Sequence, residues 1–188
     1  MKECIIFNPH RGIAWSNGEI FLGDSEDKVQ RISVNYEKYG NSYYFTSHDL
    51  RVDMDENHTI EFMEFSRNPF GRIQASLCNV FVMEQEVSEV LRQLEQYSPI
   101  EERENGHMYV LTELDVALWR ERTEADVERF IADMKADGIP VEGNADVEEE
   151  WKLAKYFQMV SIGRKGYFAG GFDRELLWKG IKDENRNL

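Results

Sequence analysis

Leu50-Arg51-Val52-Asp53-Met54-Asp55-Glu56-Asn57-His58-Thr59-Ile60-Glu61-Phe62 is the stretch on which the fold turns. Apolar Leu50, Val52 and Met54 alternate with ionic Arg51, Asp53 and Asp55, a period of two that puts one face in a core and the other in water. Asp55 to His58 is a polar turn, and the chain returns through Ile60, Phe62 and the Met63/Phe65 pair. Outward from this hairpin, the aromatic run Tyr43-Tyr44-Phe45 precedes it. The turn Asn68-Pro69-Phe70-Gly71 leads to a third strand over 73–83. The pattern predicts that these strands form one antiparallel meander.

Towards the N-terminus, strands over 5–7 and 12–15 and a Ser16-Asn17-Gly18 turn are expected. A short helix follows, capped by Asp24 and bearing Val29 and Ile32. Towards the C-terminus, Val87, Val90, Leu91 and Leu94 follow helical spacing over 84–97. The polar run 101–106 then reads as a linker between halves spanning 1–100 and 105–188, packed as one compact unit. The second half repeats the order of strands (108–111, 116–119) and then helix. Thr123 with Asp126 resembles a capping box ahead of the stripe Val127, Phe130, Ile131 and Met134. Asp146 with Glu149 starts another helix carrying Val147, Trp151 and Ala154, and a strand is expected over 157–162. Asp173 would cap a last helix with Leu176, Leu177 and Ile181, and the tail 183–188 should fray. The fold class is α+β, with antiparallel sheets and helices packed on one face.

Composition narrows the partners. The 188 residues carry 36 acidic and 22 basic side chains, a formal charge of −14, with 41% hydrophobic residues. That surface repels phosphate backbones and anionic membranes, which excludes nucleic acid and membrane as partners and is compatible with a basic protein. No stretch reaches membrane-span length, and the N-terminal apolar run is too short for a signal core, so cytoplasmic residence is expected. Cys4 and Cys78 lie in apolar runs without metal or redox spacing and read as free thiols.

Constellations with chemical potential are few. His48, Asp49, Asp53, Asp55 and His58 are all possible metal ligands within eleven residues. Strand geometry puts the aspartates on one face and His48 on the other, and the glycine and terminal glutamate of a calcium loop are missing. A solvated hairpin face is the favoured reading, and no cofactor is expected. Glu61 and Glu64 would point to opposite faces, and Glu148-Glu149-Glu150 suits a helix start. No nucleophile elbow or phosphate loop occurs, and Ser161 before Gly163 lacks the context of a catalytic serine. Gly166-Tyr167-Phe168-Ala169-Gly170-Gly171, just after Arg164 and Lys165, reads as a tight turn packing its two aromatics ahead of an anion cradle. Tyr36, Tyr39, Tyr43 and Tyr44 flank Gly40-Asn41 and offer a protein-binding surface if exposed, or a closure between helix and sheet if buried.

Residues 19–64 run Ile20-Phe21-Leu22-Gly23-Asp24-Ser25, a helix with Val29, then Tyr43-Tyr44-Phe45, Leu50 to Asp55 and Ile60-Glu61-Phe62. This order resembles the repeat of the β-lactamase-inhibitor-protein-like and BamE-like folds, where such a stretch opens a helix ahead of a small antiparallel sheet. The second half, through Leu114 to Arg120, Phe157 to Ile162 and Gly166-Tyr167, is similar to small acidic bacterial immunity-type proteins. Both resemblances imply action by surface binding. The expected function is inhibition of a basic protein such as a toxin, through Tyr43, Tyr44, Asp49, Asp53 and Asp55. A metal-dependent protein using the 48–58 hairpin is the alternative, and a structural subunit of an assembly the third reading.

Overall fold

The computed structural model describes residues 3–16, 18–32, 35–45, 49–67 and 73–169. The strands are β1 (Glu3–Asn8), β2 (Gly12–Trp15), β3 (Gly18–Phe21), β4 (Glu37–Tyr39), β5 (Ser42–Phe45), β6 (Leu50–Met54), β7 (Ile60–Ser66), β8 (Ile73–Leu77), β9 (Val80–Phe81), β10 (Ile100–Arg103), β11 (Met108–Leu111), β12 (Val116–Trp119) and β13 (Met159–Gly163). The helices are α1 (Glu26–Gln30), α2 (Val87–Leu94), α3 (Glu124–Ala136) and α4 (Ala145–Lys155). This is an α+β fold with two sheets. The larger orders its strands β10-β11-β12-β13-β7-β6-β5-β4, all antiparallel, and the smaller β3-β2-β1-β8-β9.

The large sheet joins β4–β7 to β10–β13 through the β13–β7 pair. Register explains why the sheet holds. Leu111, Val116, Ile162, Met63, Val52 and Tyr43 are successive cross-strand partners. Tyr109, Leu118, Val160, Phe65, Leu50 and Phe45 make a second row two residues along each strand. Both rows face the main core, where Ile5, Phe7, Ile13 and Ile20 of the small sheet and Val87, Val90 and Leu94 of α2 meet them. A one-residue slip in any strand would turn its apolar set outward, so the pattern fixes the pairing. The opposite face of the large sheet carries a smaller core of Phe62, Met108, Val110 and Ala117, and Phe168 packs there from the turn after β13.

Several sequence expectations are corrected. The 73–83 segment does not extend the β6–β7 meander: β8 pairs in parallel with β1, Glu3 opposite Ile73 through Phe7 opposite Leu77. Ile73, Ala75 and Leu77 alternate with Gln74 and Ser76 and enter the main core beside β1. It then turns back at Cys78 and Asn79, both with positive φ (50° and 65°), into β9. The polar run after Pro99 is not a bare linker, because Ile100–Arg103 is β10, the edge of the large sheet. An edge strand pairs through its backbone and leaves Glu101 and Glu102 in water, so it has no hydrophobic signature to read. The helix expected over 84–97 is shorter, with Glu86 as N-cap. The N-cap of α1 is Ser25 in place of Asp24, whose carboxylate accepts the Phe21 N–H at 2.7 Å.

Cys4 and Cys78 are free and half-buried, and burial pushes both thiols up from their ordinary pKa. No described helix is long and apolar enough to cross a membrane. The expected helix at 173–181, the frayed tail, Trp178, the Asn68–Gly71 turn and His48 lie outside the described residues.

Candidate functional site

The β6–β7 hairpin holds Arg51, Asp53 and Asp55 largely inward. Arg51 and Asp53 make a two-pronged pair, Nε to Oδ1 at 2.8 Å and Nη2 to Oδ2 at 2.6 Å, and Asp53 is only 7% exposed. Asp55 accepts the Asn57 and Thr59 backbone N–H groups at 2.9 Å each and the Thr59 hydroxyl at 2.9 Å. Arg164, one residue past β13, donates to Asp55 Oδ2 at 2.5 Å and so ties the turn to the neighbouring strand. Asp49 has φ of 48°, and its Oδ2 is buried without a hydrogen-bond partner among the described residues. His58 stands 3.3 Å from Glu26. Tyr43 lies in the core, its hydroxyl bonded to Glu26 and within 3.3 Å of Gln30 Nε2, with Tyr36 tilted against its ring at 5.2 Å. Tyr44 is half-buried and meets the exposed Tyr39 edge-on at 5.8 Å. The tyrosine cluster therefore divides: Tyr36 and Tyr43 close α1 against the sheet, and Tyr39 with Tyr44 face water.

Among the described residues no three His, Cys, Asp or Glu side chains converge as metal ligands. Glu61 occupies the bulge where the β6–β7 register shifts, apart from the Arg51–Glu64 pair of strand partners. Burial pushes its carboxyl up from the ordinary carboxylate range.

The Asp55 arrangement sets a pH dependence. The Thr59 backbone N–H foremost, with the Thr59 hydroxyl, Arg164 and the Asn57 N–H, holds its pKa down at about 2. An unfolded aspartate titrates near pH 3.9. The stabilisation is therefore complete above about pH 4 and is lost as pH falls towards 2. Melting temperature followed from neutral to acid pH should fall more steeply in this window for the native chain than for Asp55→Asn. Parallel profiles would show that Asp55 contributes nothing.

A cleft of about 880 Å³ opens between the β1–β2 turn and the chain after β13, with Leu22, Val110 and Phe168 as apolar lining and Lys165 on its wall. Its ionic groups are largely paired with one another. Arg103 donates to Glu101 at 2.7 Å and to the Phe168 carbonyl at 2.9 Å. Asp115, buried and at φ 48°, accepts the Gly166 N–H at 2.9 Å. His10 sets Nδ1 3.6 Å from Asp115 and Nε2 2.8 Å from the Glu113 carbonyl. Through Nε2 on the Glu113 carbonyl, with Asp115 beside its other nitrogen, His10 clasps the β11–β12 turn. Tyr167 stacks on Phe62 at 5.0 Å, so the glycine turn packs its aromatics as the sequence suggests.

The third feature is an arm of two helices. β12 and β13 are neighbours, Trp119 opposite Met159, yet 39 residues lie between those two and form α3 and α4. Thr123 and Asp126 form a complete capping box on α3, and Asn144 caps α4. Arg120 anchors the arm's base, donating to Gly106 O at 2.7 Å and Ala154 O at 2.8 Å. Residues 121–155 hold eleven acidic and five basic side chains. Glu124, Glu128, Asp133, Glu148 and Glu149 are exposed. Periodicity alone displays both helices, but in the sequence their carboxylates look like any solvated face. The arm's position shows only in the pairing of β12 with β13, which one sequence does not display.

No family model, curated protein or solved structure matches the chain.

Proposed function

We propose that this is a cytoplasmic binding protein whose acidic surface receives a basic protein, as an immunity-type inhibitor receives a toxin. The carrying observation is the distribution of charge: the arm concentrates exposed carboxylates, whereas Asp53 and Asp55 of the hairpin are bound to Arg51 and Arg164. Exposed charge of one sign steers an opposite partner and raises its rate of association, and ordinary salt screens the effect over about 8–10 Å. On the β4–β5 hairpin, the Tyr39–Tyr44 pair adds rigid aromatic area that a partner can cover. Tyr43 and Asp53 would act behind that surface, by holding the sheet and Arg51 in place.

Affinity capture with the full chain tests this reading. The expected result is a basic protein retained in stoichiometric amount at low salt and released as salt rises. An empty column, or a retained protein indifferent to salt, would count against it.

A further inference from the structure

We infer that the α3–α4 arm is a docking site for a basic amphipathic helix of a partner protein, which completes the half-open seam between its two helices. This rests on the basic-partner reading above and places that partner on one element.

Among the described residues the seam is incomplete. On α3, Val127 and Met134 are buried, but Phe130 and Ile131, on the same stripe between them, remain half-buried. On α4, Val147 and Ala154 are buried and Trp151 between them remains half-buried. Ile139, in the loop joining the helices, is 45% exposed. None of these residues belongs to either core of the two sheets. Among the described residues, the apolar stripes of the two helices thus pack outside both sheet cores. Such a pair leaves a strip of each apolar stripe uncovered until a further element packs on it.

The rim decides the occupant. At about 100° per residue, Glu124 and Glu128 fall, with Lys135 between them, on the Ile131 side of the α3 stripe and Asp133 on the Phe130 side, while Glu148 falls beside Trp151 on α4 with Lys155, which stands 4.0 Å from Glu86. The four carboxylates are exposed. Every charged side chain of α3 and α4 is exposed except Asp126 and Glu150, which are half-buried and already face His107 at 3.1 Å and Arg122 respectively. A helix with an apolar face and Lys or Arg along its margins matches both the seam and the rim. An acidic helix, or the arm of a second copy of this chain, meets an arm whose eleven acidic side chains outnumber its five basic ones.

The probe is a fluorescein-labelled peptide of leucine and lysine with amphipathic helical spacing. Controls are its leucine–glutamate counterpart and a composition-matched scramble, each titrated with the full chain and read by anisotropy. The native chain should bind the amphipathic basic peptide, reject the acidic one, and bind the scramble about tenfold more weakly. The arm variant E124Q/E128Q/D133N/E148Q should lose about tenfold in affinity. The variant E19Q/E56Q/E95Q/E102Q removes the same charge from exposed positions elsewhere and should change affinity less than about threefold. Circular dichroism checks that both variants fold. Equal weakening by the two variants, or a scramble that binds as well, would mean diffuse attraction and overturn the arm as the site. Failure of the native chain to bind the peptide would overturn it too. The basic-partner reading is decided separately by the salt-released capture.

Discussion

Arg120→Ala should cost about 2–4 kcal/mol, since a buried carbonyl left unsatisfied costs about 1–3 kcal/mol. Arg120 is 9% exposed, and its guanidinium reaches three elements at once. Nε donates to the carbonyl of Gly106 before β11, Nη1 to the carbonyl of Ala154 near the end of α4, and Nη2 lies 3.4 Å from the Tyr109 hydroxyl. The guanidinium also stands 5.9 Å from the Tyr109 ring centre. Truncation strands two backbone carbonyls and opens a void where the arm leaves the sheet. For a chain of this length the loss corresponds to roughly 10 °C in melting temperature. Arg120→Lys should recover only part of it, because an ammonium cannot span the three acceptors in one plane. A drop of less than about 1 kcal/mol in denaturant titration would show that the arm is held by other contacts. The two variants also separate holding from binding. If the arm is the docking site, Arg120→Ala should weaken the leucine–lysine peptide while leaving every acidic residue in place.

Arg120 also shows where sequence reading stops. Local signals are legible: the alternation at Leu50 to Met54, the Thr123–Asp126 box and the Val127 to Met134 stripe each form the expected element. Those signals arise within a few residues, where backbone geometry and burial act together. What is not legible is what depends on distant partners. β8 leaves the meander because it fits beside β1, and nothing within 73–77 names that neighbour. The same limit applies to the candidate site. Asp53 and Asp55 alternate as a solvated face should, yet arginines at 51 and 164 hold them inside. The acidic arm is visible as two helices, but its prominence follows from the β12–β13 pairing that closes beneath it.

Among the described glycines, Gly12→Ala should be the most damaging substitution, for reasons its neighbours make plain. Gly12 opens β2 opposite Phe21 of β3, with φ of 154°. A Cβ there would sit 2.1 Å from the Ile20 carbonyl oxygen and 2.7 Å from the Phe21 Cα. Both obstacles are backbone, so no rotamer change relieves them, and the β2–β3 pair must part to admit the methyl. Ile13 and Ile20 are strand partners in the main core, so parting the pair also breaks apolar packing. The cost should reach about 4 kcal/mol, as for strain combined with overpacking. Its reach goes beyond stability, because the β1–β2 turn carries His10 to Asp115 and Glu113 across the cleft. A shifted turn frees Asp115 from that clasp, and hydrogen exchange at the β11–β12 turn should rise with it. Gly40→Ala provides the contrast: Gly40 has φ of 57°, but a methyl there would have nothing within 4 Å. Its substitution should cost only the conformational strain, about 1 kcal/mol. If the two variants proved equally stable by denaturant titration, the crowding at Gly12 would not be what holds the small sheet in register.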